Sequence, residues 1–491
     1  MRDWLAVRAH ATPQAAALRS EGLDGDLCYA ELDARAETLA GRLATVGACV
    51  DDSVVICAET GPEFVVAVHA VQRLGAVLVP IHAKQTAPEI ERQLERISPA
   101  AVVCERETEA AVREAATGTV LSFDDPDAGA TALAETDPKP FDLPEWELAD
   151  PLAVLFTSGT TGDPKAVVLT LGNVLASATA SAFRLGLRGD DCWHIPLSMS
   201  HMGGLAPVYR SVLYGTALSI QRGFDAERTL ERLRAADATA VSLVPTMLER
   251  LLDAGSIPEL RFVLLGGAPC PSELLARAQE RDVPVAPTYG MTETASQVAT
   301  ARPEEARTAP ESVGYPVMFA ELSVVDSAGT PCDPGEPGEL VVSGPMVTPG
   351  YLDGTVTSER FINGGLRTGD RGYRDENGRV YVIGRADETI VTGGENVDPN
   401  EVAAVLRDHP EVEDCAVVGI DDDEWGERVA ALVVPADGVA PSRDDLETHC
   451  RARLAGFKLP RTIGVADTIP RTASGTVDRA AVAALLRDSP E

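Results

Sequence analysis

The stretch 157–165 reads TSGTTGDPK and links two apolar runs, LAVLF and AVVLT. Thr157, Ser158, Thr160 and Thr161 offer hydroxyls, Gly159 and Gly162 let the backbone come close to a ligand, and Lys165 adds a mobile positive charge. Backbone N–H groups of such a turn can converge on phosphate oxygens. The pattern G-x-x-x-x-G-K-[ST] is absent, so this is not a Walker-type loop, and an S/T/G-rich turn is also compatible with a plain connection. A second stretch, TYGMTETA at 288–295, gathers an aromatic, a glycine and a carboxylate. Tyr289 is suited to stacking on a base and Glu293 to holding Mg2+ through an oxygen; the plainer alternative is a helix start capped by Thr292. LRTGDRG at 366–372 sets Asp370 behind a turn glycine, where a carboxylate can accept two ribose hydroxyls, and VIGRADE at 382–388 contains Arg385.

These stretches need a scaffold, and the 491 residues are too many for one small core, so two or three domains are expected. The first 120 residues alternate helical patterns with short apolar runs. YAELDARAETLAGRL places Leu32, Ala36, Leu39 and Leu43 on one helical stripe. SVVICA, AVLVPI and AAVVCE are apolar on both faces and read as buried strands, which implies a largely parallel sheet. Residues 124–151 are acidic and rich in Ala, Asp and Pro and read as a surface loop. Alternation resumes with LAVLF, a helical run from Gly172 and the strand RFVLL at 261–265. From Glu336 short strands with Gly/Pro turns form a small β-rich subdomain, and beyond Arg385 a fresh α+β pattern begins. The expected fold class is α/β. A large N-terminal domain, 1–384, has parallel-rich sheets with helices plus the β-rich subdomain. A small mobile α+β C-terminal domain, 385–491, follows, with GRADE at 384–388 as the hinge.

Composition narrows the function classes. With 42 basic and 76 acidic residues the net charge is −34, which leaves no basic face for nucleic acid and repels an anionic membrane. Lys84, Lys139, Lys165 and Lys458 are the four lysines, and the other 38 of the 42 basic residues are arginine. An acid-rich, lysine-poor surface points to a salt-loaded cytoplasm, where a Debye length of roughly 3 Å at molar salt screens self-repulsion; the plainer alternative is an acidic protein from a GC-rich genome. Nine scattered cysteines without a C-x-x-C pair argue against a disulfide framework or a zinc site and fit a reduced cytoplasm. The N-terminus has no long apolar core, and the longest apolar region, 64–81, is broken by Gln72, Arg73, Gly75 and Pro80, so neither a signal peptide nor membrane insertion is expected.

TSGTTGDPK, GGAP at 266–269, YGMTET, TGD, GR-x-D and GGEN at 393–396, in that order, resemble the AMP-forming acyl-CoA synthetase superfamily. The resemblance spans nearly the whole chain. It implies that 157–165 cradles the β,γ-phosphates of ATP and that Gly267, Ala268 and Tyr289 line the adenine pocket, with Gly290 and Thr292 beside them. It further implies that Asp370 binds the ribose, that Glu293 holds Mg2+, and that Arg385 and Lys458 reach the nucleotide. A carboxylate attacks the α-phosphate to give acyl-AMP and pyrophosphate. By the same resemblance the small domain would then swing about Asp387 and bring Gly393 and Gly394 to a pantetheine tunnel, where coenzyme A would take the acyl group. Phosphoryl-type transfer asks the protein mainly for positioning and charge neutralisation, which a loop of N–H donors, a lysine and a metal ligand provide.

IPLSMSHMGGLAPVYRSVLYG at 195–215 and YGMTETASQ at 289–297 are similar to the o-succinylbenzoate–CoA ligase family of menaquinone biosynthesis. The resemblance implies that His201, in its H-x-x-G pattern, flanks the acyl pocket with Ser296, and that Arg210 meets the second carboxylate of a diacid. Arginine's planar fork suits that role. The plain alternatives are a histidine common to many acyl-CoA ligases and a helix-surface salt bridge for Arg210. A ligase for another aryl or fatty acid, an enzyme loading a separate carrier protein, and an adenylation-impaired nucleotide-binding relic stay open. The chain departs from the family at IPRTASGTVDR, 469–479, where the family pattern P-R-T-x-x-G-K puts a catalytic lysine and this chain has Thr476. Either adenylation is slow, or Arg471, Arg479 or Lys458 stands in. Oligomeric state, monomer or homodimer, is open.

Overall fold

The computed structural model describes residues 3–20, 25–127, 129–157, 164–385, 390–392, 395–422, 425–436, 441–472 and 475–487. Ser158, Gly159, Thr160, Thr161, Gly162, Asp387, Gly393 and Gly394 lie outside the described residues. The chain divides into two compact units, Met1–Leu322 with Val342–Leu366, and Ser323–Val341 with Arg367–Glu491. The expectation set 1–384 against 385–491; here 323–341 and 367–384 group with the C-terminal residues.

The first unit is built on two sheets. In one, Ser53–Cys57 lies between Val77–Ile81 and Ala101–Cys104, all parallel. Val54, Val55 and Ile56 are fully buried, because helices cover both faces of a parallel sheet and leave no side for polar residues. The Pro151–Thr157 strand adds in parallel to Val77–Ile81, then Lys165–Thr170 and Gly350–Tyr351 add antiparallel at that edge. In the other sheet, Ala16–Ser20, Ala217–Ile220, Cys192–Ile195, Ala240–Leu243, Phe262–Leu265 and Val285–Met291 run parallel, and antiparallel strands close both edges. The helix Tyr29–Thr45 buries the expected stripe of Leu32, Ala36, Leu39 and Leu43. Its start is fixed by Glu31, whose carboxylate accepts from Cys28 N at 2.8 Å.

The 124–151 segment is more than a surface loop. Thr131–Ala132 extends the first sheet beside Val120–Ser122, and Trp146 is buried with Nε1 donating to Gln72 O at 3.1 Å. Leu133 is buried with it in the same core, and two apolar side chains thirteen residues apart supply burial without any periodicity to announce it.

In the second unit, the Asp370–Arg374 part of the strand Gly365–Arg374 pairs with Val380–Arg385 as an antiparallel hairpin. Asp370 therefore lies inside a strand, not after an isolated turn; Gly369, at φ +75°, supplies the local kink. The C-terminal sheet pairs Val412–Asp422 with Gly426–Pro435, and Thr462–Val465 joins in parallel. Alternation along its first strand sends Cys415 and Val417 to the layer with Val402 and Leu406 of the helix Pro399–Arg407. Ala416, Val418 and Ile420 face Val482 and Leu486 of the helix Arg479–Arg487. Among the described residues no helix is long and apolar enough to cross a membrane.

Candidate active site

In the first unit the chemistry-bearing residues cluster after the carboxyl ends of parallel strands, where open α/β sheets bind ligands. The Pro151–Thr157 and Lys165–Thr170 strands pair with Thr157 directly opposite Lys165, so the described residues on either side of 158–163 are held side by side. Thr157 Oγ1 donates to Lys165 O at 3.4 Å, and Arg96 Nη1 donates to Pro164 O at 2.7 Å.

The GGAP turn follows Phe262–Leu265, and TYGMTETA ends the neighbouring strand. A Cβ on Gly266 would lie 2.9 Å from Thr288 O, so the turn and the strand touch backbone to backbone. Gly267, at φ +81°, and Ala268 are exposed at that turn, and Tyr289 is half-buried beside it. The helix start expected as the alternative at Thr292 is absent: Thr292–Thr294 is one tight turn before the antiparallel strand Ser296–Thr300. Gly290 is required there, since a Cβ would sit 1.7 Å from Ser296 O. Ala295 at φ 49° and Ser296 at φ 119° take conformations that side chains disfavour, a strain characteristic of functional turns.

That turn presents Glu293, which is 6% exposed. Its Oε1 accepts from Tyr351 Oη at 2.8 Å, and its backbone carbonyl accepts from Thr348 N at 2.7 Å. The other carboxylate oxygen takes no hydrogen bond among the described residues. One oxygen held and one uncommitted fits Mg2+, which is bound by one or two carboxylates plus substrate phosphates. Among the described residues no group of three or more His, Cys, Asp or Glu could hold a metal by itself.

His201 caps the helix Met202–Tyr214, which follows Cys192–Ile195. Gly204 lets the helix approach the preceding loop, as a Cβ would lie 2.4 Å from Ser198 O. His201 Nε2 is buried without a partner among the described residues, and the ring of His82 lies 5.8 Å from its own. Burial, then the neighbouring His82, push the His201 imidazole down to about 4, so it is neutral near pH 7. Arg210, farther along the same helix, is 2% exposed. It makes no salt bridge to a carboxylate among the described residues, its Nη2 is unpartnered, and its guanidinium lies 6.0 Å from the Trp193 ring. The helix-surface salt bridge weighed as its alternative is thus replaced by a buried cation, held below its ordinary pKa by desolvation.

In the second unit Asp370 and Arg385 are cross-strand partners, with Arg385 Nη1 3.3 Å from Asp370 Oδ1 and 3.2 Å from Thr368 O. Lys458 Nζ binds both carboxylate oxygens of Glu401, at 2.7 and 2.6 Å. Thr476 Oγ1 pairs with Thr472 Oγ1 at 2.7 Å. Sequence reasoning did not reach His82, Trp193, Thr348 or Tyr351. Tyr351 is 58 residues from Glu293, and no spacing rule links them.

These folds and turns define an adenylate-forming scaffold. The chain belongs to the AMP-binding enzyme family, whose model matches residues 5–352, with the AMP-binding enzyme C-terminal domain at 401–476. It is 38% identical over 480 residues, 96% of each chain, to the 2-succinylbenzoate–CoA ligase of Geobacillus kaustophilus. It is also similar to the Bacillus subtilis o-succinylbenzoate coenzyme A synthetase in complex with its acyl-adenylate intermediate, at TM-score 0.92, 34% identity and 98% coverage of both chains. Another structure of that synthetase, in complex with ATP and magnesium ion, matches at TM-score 0.90 and 33% identity, covering 99% of this chain and all of the other.

Proposed function

We propose that this protein is an acid–thiol ligase that converts a carboxylate and ATP into acyl-AMP and pyrophosphate, then transfers the acyl group to coenzyme A, with 2-succinylbenzoate as the acid. In the first step a carboxylate oxygen bonds to the α-phosphorus and the bond to pyrophosphate breaks. In the second the coenzyme A thiolate attacks the acyl carbon and AMP leaves with the electron pair. The observation that carries the substrate is Arg210: a buried guanidinium with a free Nη2 and no carboxylate of its own among the described residues. Leaving a buried charge unpaired is costly, and a diacid's second carboxylate would relieve it. A plain fatty acid offers nothing for that position.

In this reading 157–165 and Lys165 hold the β,γ-phosphates, Tyr289 and the GGAP turn take the adenine, and Asp370 takes the ribose. Glu293 holds the magnesium that offsets phosphate charge, and neutral His201 with Ser296 borders the acyl group. A division at 384/385 with a hinge near Asp387 would serve the two half-reactions by two arrangements. A cytoplasmic site of action in a salt-loaded cell, and a role in menaquinone biosynthesis, belong to the same reading. The test is a carboxylic-acid panel with AMP and thioester read by mass spectrometry. The reading expects 2-succinylbenzoate to lead, and benzoate, cinnamate or a medium-chain fatty acid outperforming it tenfold would refute it.

A further inference from the structure

Three backbone ties bind the Glu293 turn to the strand that ends the phosphate segment. Tyr351 and Gly350 pair antiparallel with Val167 and Val168 of Lys165–Thr170, and Leu352 N donates to Ala166 O at 2.9 Å, next to Lys165. Thr348 N donates to Glu293 O at 2.7 Å, while Thr348 Oγ1 donates to Gly350 O at 2.7 Å and accepts from Gly350 N at 3.0 Å. Gly350 takes φ +150° and packs on Thr357, where a Cβ would lie 2.6 Å from its methyl. The segment 348–351 is therefore fixed on both sides before any side chain of Tyr351 is considered. From it the buried Tyr351 ring delivers one hydroxyl to Glu293 Oε1 at 2.8 Å.

We infer that Tyr351 is the positioning residue for Glu293: its hydroxyl fixes one carboxylate oxygen so that the other faces the metal, and its strand keeps that carboxylate in register with Lys165. A carboxylate free to rotate about its last two torsions would present either oxygen in many directions, whereas a magnesium ion tolerates little departure from octahedral geometry. Hydrogen-bond partners of metal-ligating carboxylates commonly control affinity by about 10–100-fold. The inference rests on reading Glu293 as the metal ligand, and the experiment separates the two.

Mn2+ is titrated by electron paramagnetic resonance into wild type, Tyr351→Phe, Glu293→Gln and the double variant, each saturated with α,β-methylene-ATP. Phenylalanine keeps the ring and its packing, so the fold is retained; urea midpoints check this. Tyr351→Phe is expected to weaken Mn2+ about tenfold and Glu293→Gln at least as much, with the double variant no weaker than Glu293→Gln alone. If Glu293→Gln weakens Mn2+ while Tyr351→Phe stays within twofold of wild type, the positioning role is wrong and the ligand reading stands. If the two losses multiply in the double variant, Tyr351 acts on something other than Glu293. Wild-type affinity in Glu293→Gln would overturn both.

Discussion

The rings of His82 and His201 lie 5.8 Å apart, one after the Val77–Ile81 strand of the first sheet and the other at the start of a helix on the second. His201 is the more buried, and its imidazole, pushed down to about 4 from 6.5, stays neutral in the folded state. The groups facing His82 are Glu59 and Lys84, whose charges oppose each other.

This depression has a signed consequence for stability. The folded value lies below the unfolded one, so the stabilisation is fully present above pH 6.5 and is lost as pH falls toward 4. Each pH unit in that window removes up to about 1.4 kcal/mol through this one group. His201→Asn removes the titration. Its stability deficit relative to wild type, measured by urea unfolding, should shrink by about 2 kcal/mol between pH 7.5 and pH 5.0. A deficit that is the same at both pH values would show that the folded imidazole titrates normally.

Arg210 should discriminate between acids rather than support catalysis in general. Arg210→Ala is expected to lower kcat/KM for 2-succinylbenzoate by about 1.5–3 kcal/mol, or roughly 10–150-fold, through loss of a charge-assisted hydrogen bond. The analogue 4-oxo-4-phenylbutanoate lacks the ring carboxylate and should lose far less. Equal losses for the two acids would assign Arg210 to packing against Trp193 alone.

Salt dependence follows from the net charge of −34. At low ionic strength 76 acidic groups against 42 basic ones repel across the surface, and molar salt screens them. The melting temperature is expected to climb from dilute buffer to molar KCl. A flat response would rule out adaptation to a salt-loaded cell.

How much of this was legible in the sequence depends on the range of the interactions involved. Strands such as Ser53–Cys57 announced themselves because burial on both faces makes the run from Val54 to Cys57 apolar without alternation. The motif turns were visible because glycine at Gly290 and Gly267 answers a local steric demand. Three features escaped. Trp146 and Leu133 anchor the 124–151 segment in the core from positions that follow no period. The Tyr351 hydroxyl reaches Glu293 only through strand pairing at the sheet edge. Arg210 is buried with the Trp193 ring of a neighbouring strand 6.0 Å from its guanidinium, and a helical position alone cannot distinguish that environment from a surface.

The departure at Thr476 gains weight from what surrounds it in the second unit. Each basic residue that would replace the family lysine already has a partner. Lys458 holds both oxygens of Glu401, Arg471 binds Asp414 at 2.8 Å and Gly475 O at 3.1 Å, and Arg479 donates to Val417 O at 2.7 Å. Thr476 itself shares its hydroxyl with Thr472 and brings no charge. Recruiting a stand-in means breaking one of these pairs, so the slow-adenylation version is favoured. Removing one transition-state donor typically costs about 2.7–4 kcal/mol, on the order of 10²–10³ in rate. Thr476→Lys should therefore accelerate acyl-AMP formation in single-turnover kinetics by up to that factor. Thioester formation from preformed acyl-AMP should be unchanged, because it belongs to the other half-reaction. Equal adenylation rates in the two proteins would sink this version. Alanine substitution at Lys458, Arg471 and Arg479 in turn would then identify the group that carries the charge, and if none of the three slows adenylation, neither account of the departure survives.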